Sequence, residues 1–281
     1  MIELGPNRYG KAAIRLVRVW RGGDAHRLRD LTVAVALEGD FAAAHTDGDN
    51  SLVVATDTMK NTVYAFAKDR LEGSLEDFGR ALAEHFLDEP QVERATISLR
   101  EHAWAPIGAP GAPATDTFVR GGSGTRVATV SSDLGGTTVE AGVEDLVVMK
   151  TARSAFVGFP RDQFTTLPET DDRIMATKLS AIWRYGAPQL AGDALHDAIQ
   201  GTLLEVFADH NSPSVQTSVW VMARAILERH EEVDEVRMAL PNLHHWLVDL
   251  APFGLTNDNE VFVATSEPHG LIEATVRRGE G

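Results

Sequence analysis

The order of strand-like and helix-like segments repeats, and this repeat limits the fold more than any other feature of the chain. Ala13 to Arg21 reads as a strand, Arg21-Gly22-Gly23-Asp24 as a turn, and Leu31, Val33, Val35 and Leu37 alternate as a second strand. A helix is expected from Asp57 to near Lys68. Ser74 is placed to cap another, with Glu76 and Asp77 in its first turn and Leu75, Phe78, Leu82 and Phe86 on one face. Val92 to Trp104 returns to strand, Ala105 to Pro113 is a Pro/Gly-rich exposed loop, and strands Val127 to Ser131 and Val139 to Met149 flank the turn Asp133-Leu134-Gly135-Gly136. The second half runs the same way. After the strands Val139 to Met149 and Ile174 to Tyr185 come helices over Leu195 to Phe207 and Val215 to Leu227, and then Val236, Met238 and Leu240 alternate into Leu247 to Leu250.

A faint echo supports the repeat. Val92, Ala95, Ile97 and Leu99 with a His–Trp ending return as Val233, Val236, Met238 and Leu240 with a His–Trp ending. The expectation is an α+β protein: two copies of strand-strand-helix-helix-strand-strand, antiparallel sheets with helices on one face, and a boundary near Leu134 that gives domains 1–134 and 135–281. Open edges of such sheets invite pairing, which favours closure through oligomerisation.

Charge and composition narrow the function. A net charge of −15 over 281 residues argues against nucleic acid or an anionic membrane as partner. It leaves room for a small anion held by a few local cations. The absence of cysteine excludes thiolate nucleophiles, disulfides, iron–sulfur clusters and cysteine zinc sites. Met1 to Lys11 has no apolar leader core, no apolar run reaches the length of a membrane span, and Arg278-Gly279-Glu280-Gly281 is not a targeting tail, so the cytoplasm is expected. Phosphate loops, nucleophile elbows and dinucleotide fingerprints are missing.

Six segments carry possible chemistry. In Val53-Val54-Ala55-Thr56-Asp57 a short apolar strand is expected to run straight into a helix start, where backbone N–H groups lack helical partners and can receive an anion or polar ring; Thr56 and Asp57 read equally as simple caps. Lys11, in Tyr9-Gly10-Lys11, is a surface lysine unless desolvation or a nearby cation makes it a base. Phe156 is either a core plug or a stacking platform in a loop shaped by Gly158 and Pro160. Arg173 follows four residues that include three acids, as a surface ion pair or as a guanidinium fork for a planar oxyanion. Asn211-Ser212-Pro213-Ser214-Val215-Gln216 starts a helix, and the Gln216 amide suits an amide-rich heterocycle. Leu240-Pro241-Asn242-Leu243-His244-His245-Trp246 is expected to interrupt a strand. Its adjacent histidines point to opposite faces and have no ligand spacing, so no metal site is expected.

Taken together in order, these segments resemble urate oxidases. The resemblance covers nearly the whole chain through YGK, VATDTMKNTVYAFAK, FVGFPRDQFTTLPET, DRIMAT, NSPSVQ, LPNLHH and the late NEVF and GLIEAT runs. It implies two tandem tunnelling-fold (T-fold) domains and a homotetramer with active sites at subunit interfaces. It further implies oxidation of urate by O₂ and water to 5-hydroxyisourate and hydrogen peroxide, without metal or cofactor. Carried over by position, Lys11, Thr56 and His244 would relay protons, and Asp57 would hold the purine through its N–H. Phe156 would stack on the ring, Arg173, Gln216 and the Val215 backbone would clamp its edge, and Asn242 would face the oxygen or water site. Leu243, Asp171 and the loop Ala105 to Thr117 depart from the family pattern, outside the residues that grip substrate. A non-catalytic purine-binding protein, or a pterin enzyme on the same fold, are the alternatives. Intact Lys11, Thr56 and His244 speak against the first, and the missing histidine ligand set against the second.

Overall fold

The computed structural model describes residues 2–108 and 115–279. Residues 109–113 of the expected loop, and the last two residues of the chain, lie outside them. The chain divides into two compact units: 1–142 with 184–197, and 143–183 with 198–281.

The first unit contains β1 (Tyr9–Trp20), β2 (Arg27–Gly39), α1 (Ala42–Thr46), α2 (Thr56–Arg70), α3 (Leu75–Leu87), β3 (Val92–Glu101), β4 (Trp104–Pro106), β5 (Phe118–Arg120), β6 (Thr125–Asp133) and the first half of β7 (Gly136–Lys150). Its strand order is β1-β2-β3-β6-β7, antiparallel from β1 to β6, with Lys11 opposite Val35, Val33 opposite Leu99 and Ile97 opposite Val130. Alternation does the sorting. Leu31, Val33, Val35 and Leu37 are at most 2% exposed, and they share one core with Met59 and Val63 of α2 and Phe78, Leu82 and Phe86 of α3. Each such side chain contributes about 1.5–3 kcal/mol of burial. Ser74 caps α3 as its sequence foretells, within a full capping box. Acidic Glu76 is not a solvated first-turn residue. It is completely buried and held by Arg126 through contacts of 3.0 and 2.8 Å, and Arg126 also reaches Asp193 at 2.8 Å.

The second unit contains the rest of β7, β8 (Met175–Tyr185) up to Trp183, most of α4 (Asp193–Asp209), α5 (Val215–Arg229), β9 (Val233–Leu247), β10 (Phe262–Thr265) and β11 (Leu271–Arg277). Leu179 and Trp183 from β8, Leu203 from α4, Val219, Met222 and Ile226 from α5, and Val236 and Leu240 from β9 are fully buried and form its core. No helix among the described residues is long and apolar enough to cross a membrane.

Three local expectations are corrected. Val53 to Ala55 forms no strand; Tyr9 Oη donates to the Val54 carbonyl at 3.2 Å, Val53 N donates to Asn50 O at 3.0 Å, and Gln91 Nε2 donates to the carbonyl of the preceding Leu52 at 3.0 Å. Val92 to Trp104 is not one strand, because β3 ends at Glu101 and Trp104 opens the short hairpin of β4 with β5. Leu240 to Trp246 does not interrupt a strand either. β9 runs through it and changes partner, pairing with β11 over Glu235 to Pro241 and with β10 over His244 to Leu247.

Candidate active site

The two units each gather part of the residue set. In the first unit the gathering begins at Gly10, where a Cβ would lie 1.9 Å from the Val35 carbonyl oxygen, so that only glycine lets β1 approach β2 there. Tyr9 beside it packs edge-on against Phe41 at 4.7 Å and hydrogen-bonds Val54, tying the start of β1 to the connection that enters α2. Immediately after Lys11 the β1–β2 register shifts, with Ala13 at φ 56°, and such a bulge re-aims the neighbouring side chain.

The start of α2 is open. Its N-cap is Ala55, which offers no side-chain acceptor, so Thr56 and Asp57 are the first two helical residues and not caps. Asp57 turns its carboxylate along its own helix, to Lys60 and to Asn61 Nδ2 at 3.0 Å. The Lys60 hydrogen bond, then its charge, hold this carboxyl below its usual range, with a smaller contribution from Lys11. The corner therefore has first-turn N–H groups that no side chain caps, with Thr56 as the first helical residue and the Lys11 charge near enough to act on Asp57.

The second unit contains a cavity of about 530 Å³ whose lining includes Phe156, Arg173, Val215, Asn242 and His244. Loop cross-bonds build it. Phe156 N donates to Thr170 O at 2.8 Å, Ala155 N to Ser212 O at 2.7 Å and Arg173 N to Ser154 O at 2.8 Å. The Phe156 ring lies nearly parallel to Phe159 at 4.8 Å and beneath the Arg173 guanidinium at 5.2 Å. Arg173 makes no surface ion pair among the described residues, and its Nε is buried without a partner. Burial lowers the guanidinium's affinity for its proton, yet arginine stays charged, so the site carries a cation in need of an anion. Asn242 Oδ1 is likewise buried and unpartnered.

His244 stacks on Trp246 at 5.1 Å, a contact that sequence reasoning did not anticipate. Desolvation, followed by the charge of Arg173 and by His269 and His245, pushes the His244 pKa down, which keeps the ring neutral at neutral pH. At α5, Ser214 accepts from Thr217 N at 3.2 Å, and the buried Val215 meets the cavity from the helix's first position. Gln216 follows on the exposed side and is not part of the cavity wall. No group of three or more metal-binding side chains occurs among the described residues.

Comparison with known proteins places the chain in a family. The family model described as Uricase matches residues 7–131 and 139–273. The uricase of Arthrobacter globiformis is 46% identical over 278 residues, spanning 99% of this chain and 90% of that protein. The uricase of Dictyostelium discoideum is 36% identical, spanning 99% and 98%. The crystal structure of the Arthrobacter enzyme superposes with a TM-score of 0.94 at 45% identity over 100% of this chain and 96% of that one. A Bacillus urate oxidase structure shares the fold at 24% identity, with a TM-score of 0.84 over 97% and 100% of the two chains. The chain belongs to the uricase family.

Proposed function

We infer that this protein is a urate oxidase that converts urate, O₂ and water to 5-hydroxyisourate and hydrogen peroxide without metal or cofactor. The observation that carries the reading is the Arg173 guanidinium, buried with an unpartnered Nε above the Phe156 ring in a cavity that also holds Asn242 and His244. A flat, electron-rich anion with ring carbonyls satisfies all of these at once. It stacks on Phe156, pairs with Arg173 and receives the Val215 N–H at the start of α5, and the Gln216 amide, which lies outside the cavity wall, must turn inward to reach its edge.

The chemistry asks for little else. Ground-state O₂ is a triplet, so direct two-electron attack on a singlet ring is slow. A fully deprotonated urate instead gives up electrons one at a time. Lys11, Thr56 and His244 take the ring proton and return protons to the reduced oxygen as peroxide leaves, and water then adds at the oxidised ring carbon. The neutral His244 ring suits an acceptor at neutral pH. Asn242 holds first O₂ and then water above the ring.

In this reading the chain is two T-fold domains, 1–134 and 135–281, and assembles as a homotetramer. Lys11, Thr56 and the Asp57 N–H of one subunit complete the cavity of its neighbour. The test is chelator-treated protein mixed with urate in air, with the urate near-ultraviolet band and peroxide followed together. Equimolar loss of urate and gain of peroxide is expected. Binding without turnover would instead make the protein a purine-binding relative, and neither binding nor turnover would refute the substrate.

A further inference from the structure

We propose that Thr177 and Gly270 are the positioning residues that fix the Asn242 amide over the reacting ring. The proposal rests on the reading of Asn242 as the group facing O₂ and water. The difficulty they solve is local. β9 changes partner at this point, paired with β11 through Pro241 and with β10 from His244 onward, so Asn242 and Leu243 lie in the gap between the two ladders. Pro241 also has no N–H with which to bond a neighbour. On that edge no ladder pair sets the direction of the next side chain, while β8 flanks β9 on the other.

Two side-chain features supply that direction from opposite flanks. Thr177 of β8 is fully buried, and its Oγ1 donates to the Pro241 carbonyl at 2.8 Å. A hydroxyl thus holds the peptide group that leads directly into Asn242. From the other flank, Asn242 N donates to the Gly270 carbonyl at 2.9 Å. A Cβ on Gly270 would stand 3.2 Å from Asn242 Nδ2, tighter than ordinary contact. The absent side chain of Gly270 is therefore the space that the amide nitrogen uses. With the backbone fixed at both sides and the amide nitrogen seated there, Asn242 Oδ1 is left unpartnered in the same cavity as Arg173 and His244. Neither Thr177 nor Gly270 lines that cavity, so both act through Asn242.

The experiment compares Thr177→Val, Thr177→Ser, Gly270→Ala and Asn242→Ala for urate kcat, urate KM, dependence on O₂ concentration and affinity for a non-oxidisable urate analogue. Displacing a positioned group by a fraction of an ångström lowers rate by about tenfold or more. Thr177→Val and Gly270→Ala are expected to lose that much kcat and to change the O₂ dependence, with urate KM and analogue affinity within about twofold of the parent. Thr177→Ser, which keeps the hydroxyl, is expected to restore kcat. A general structural role predicts otherwise: analogue affinity falling with kcat, no recovery in Thr177→Ser, and unchanged O₂ dependence. Any of these results overturns the proposal. Asn242→Ala separates the two layers of the argument. If its kcat stays at the parental value, the role of Asn242 is wrong. If its kcat falls while Thr177→Val and Gly270→Ala remain at the parental rate, Asn242 stands and its positioning by these residues does not.

Discussion

The two consecutive helices α2 and α3 begin in opposite ways, one uncapped and the other sealed by a capping box. At α3, Ser74 Oγ accepts from Asp77 N at 3.0 Å while Asp77 Oδ2 accepts from Ser74 N at 3.1 Å, and Ser74 is only 7% exposed. Every donor that a cap can take is taken, and the helix start is sealed into the core. At α2, Ala55 offers nothing, and the one nearby carboxylate, Asp57, turns down its own helix to Lys60. A missing cap of this kind forgoes about 1 kcal/mol. The donors that it leaves open stand near the Lys11 ammonium, whose charge is felt at Asp57. The same contrast recurs in milder form in the second unit, where Ser214 caps Thr217 N and leaves the Val215 end of α5 toward the cavity.

The sharpest way to break this comparison is Lys11→Met. If the α2 corner is a working site, turnover falls by about 10²-fold or more, the range expected for removing a general base, while a urate analogue still binds and denaturant stability is unchanged. Lost stability with unaltered turnover would turn the corner into ordinary structure. Ser74→Ala is the mirror experiment. It is expected to cost about 1 kcal/mol in chemical denaturation and nothing in kcat. Its pH dependence carries a sign. Burial raises the Asp77 carboxyl pKa, but hydrogen bonds from Ser74 and Arg80 outweigh that and hold it down in the folded protein. A depressed carboxyl stabilises the fold above its unfolded pKa of about 3.9, and this stability is lost as pH falls through the lower folded value. The gap between parent and Ser74→Ala should therefore narrow in acid. A gap that widened there would mean that the box acts through something other than Asp77.

How far the sequence reached depends on how local the cause is. The α3 cap, the alternation of β2 and the amphipathic faces of the helices are written within a dozen residues, and the structure repeats them. Arg173 was legible only as a choice. Its neighbours Asp171 and Asp172 invited a surface ion pair, and it took the fold to bring Phe156 beneath it, Ser154 to its backbone, and no carboxylate to its Nε. Glu76 shows the limit more plainly. A helix start explains an acid there, but only the long-range arrival of Arg126 and Asp193 explains a buried one. Val53 to Ala55 misled for a related reason. Apolar residues before a helix imply a strand, whereas Tyr9, distant in sequence, bonds the Val54 carbonyl and Gln91 bonds that of Leu52 just before it. Residues 109–114 add nothing to either side of the comparison, since they lie outside the described structure.

The smallest effect is the most discriminating, because it converts one helix start into the other. Ala55→Ser places a hydroxyl where α2 lacks an acceptor. The residue's φ of −58° and ψ of 133° are open to serine, so the change introduces no backbone conflict. Its Oγ can accept from the Asp57 or Thr58 N–H, as Ser74 does at α3, and should add about 0.5–1 kcal/mol to stability. If those donors serve the helix alone, that gain is the whole result. If the Asp57 N–H is held open for substrate, the new hydroxyl competes for it. Urate KM and analogue affinity then worsen by about fivefold, the equivalent of roughly 1 kcal/mol, while the rate at saturation changes little. A more stable protein that binds urate less well is the outcome expected of an uncapped helix start kept for its ligand. A more stable protein with unchanged affinity would show that the open corner is an accident of sequence.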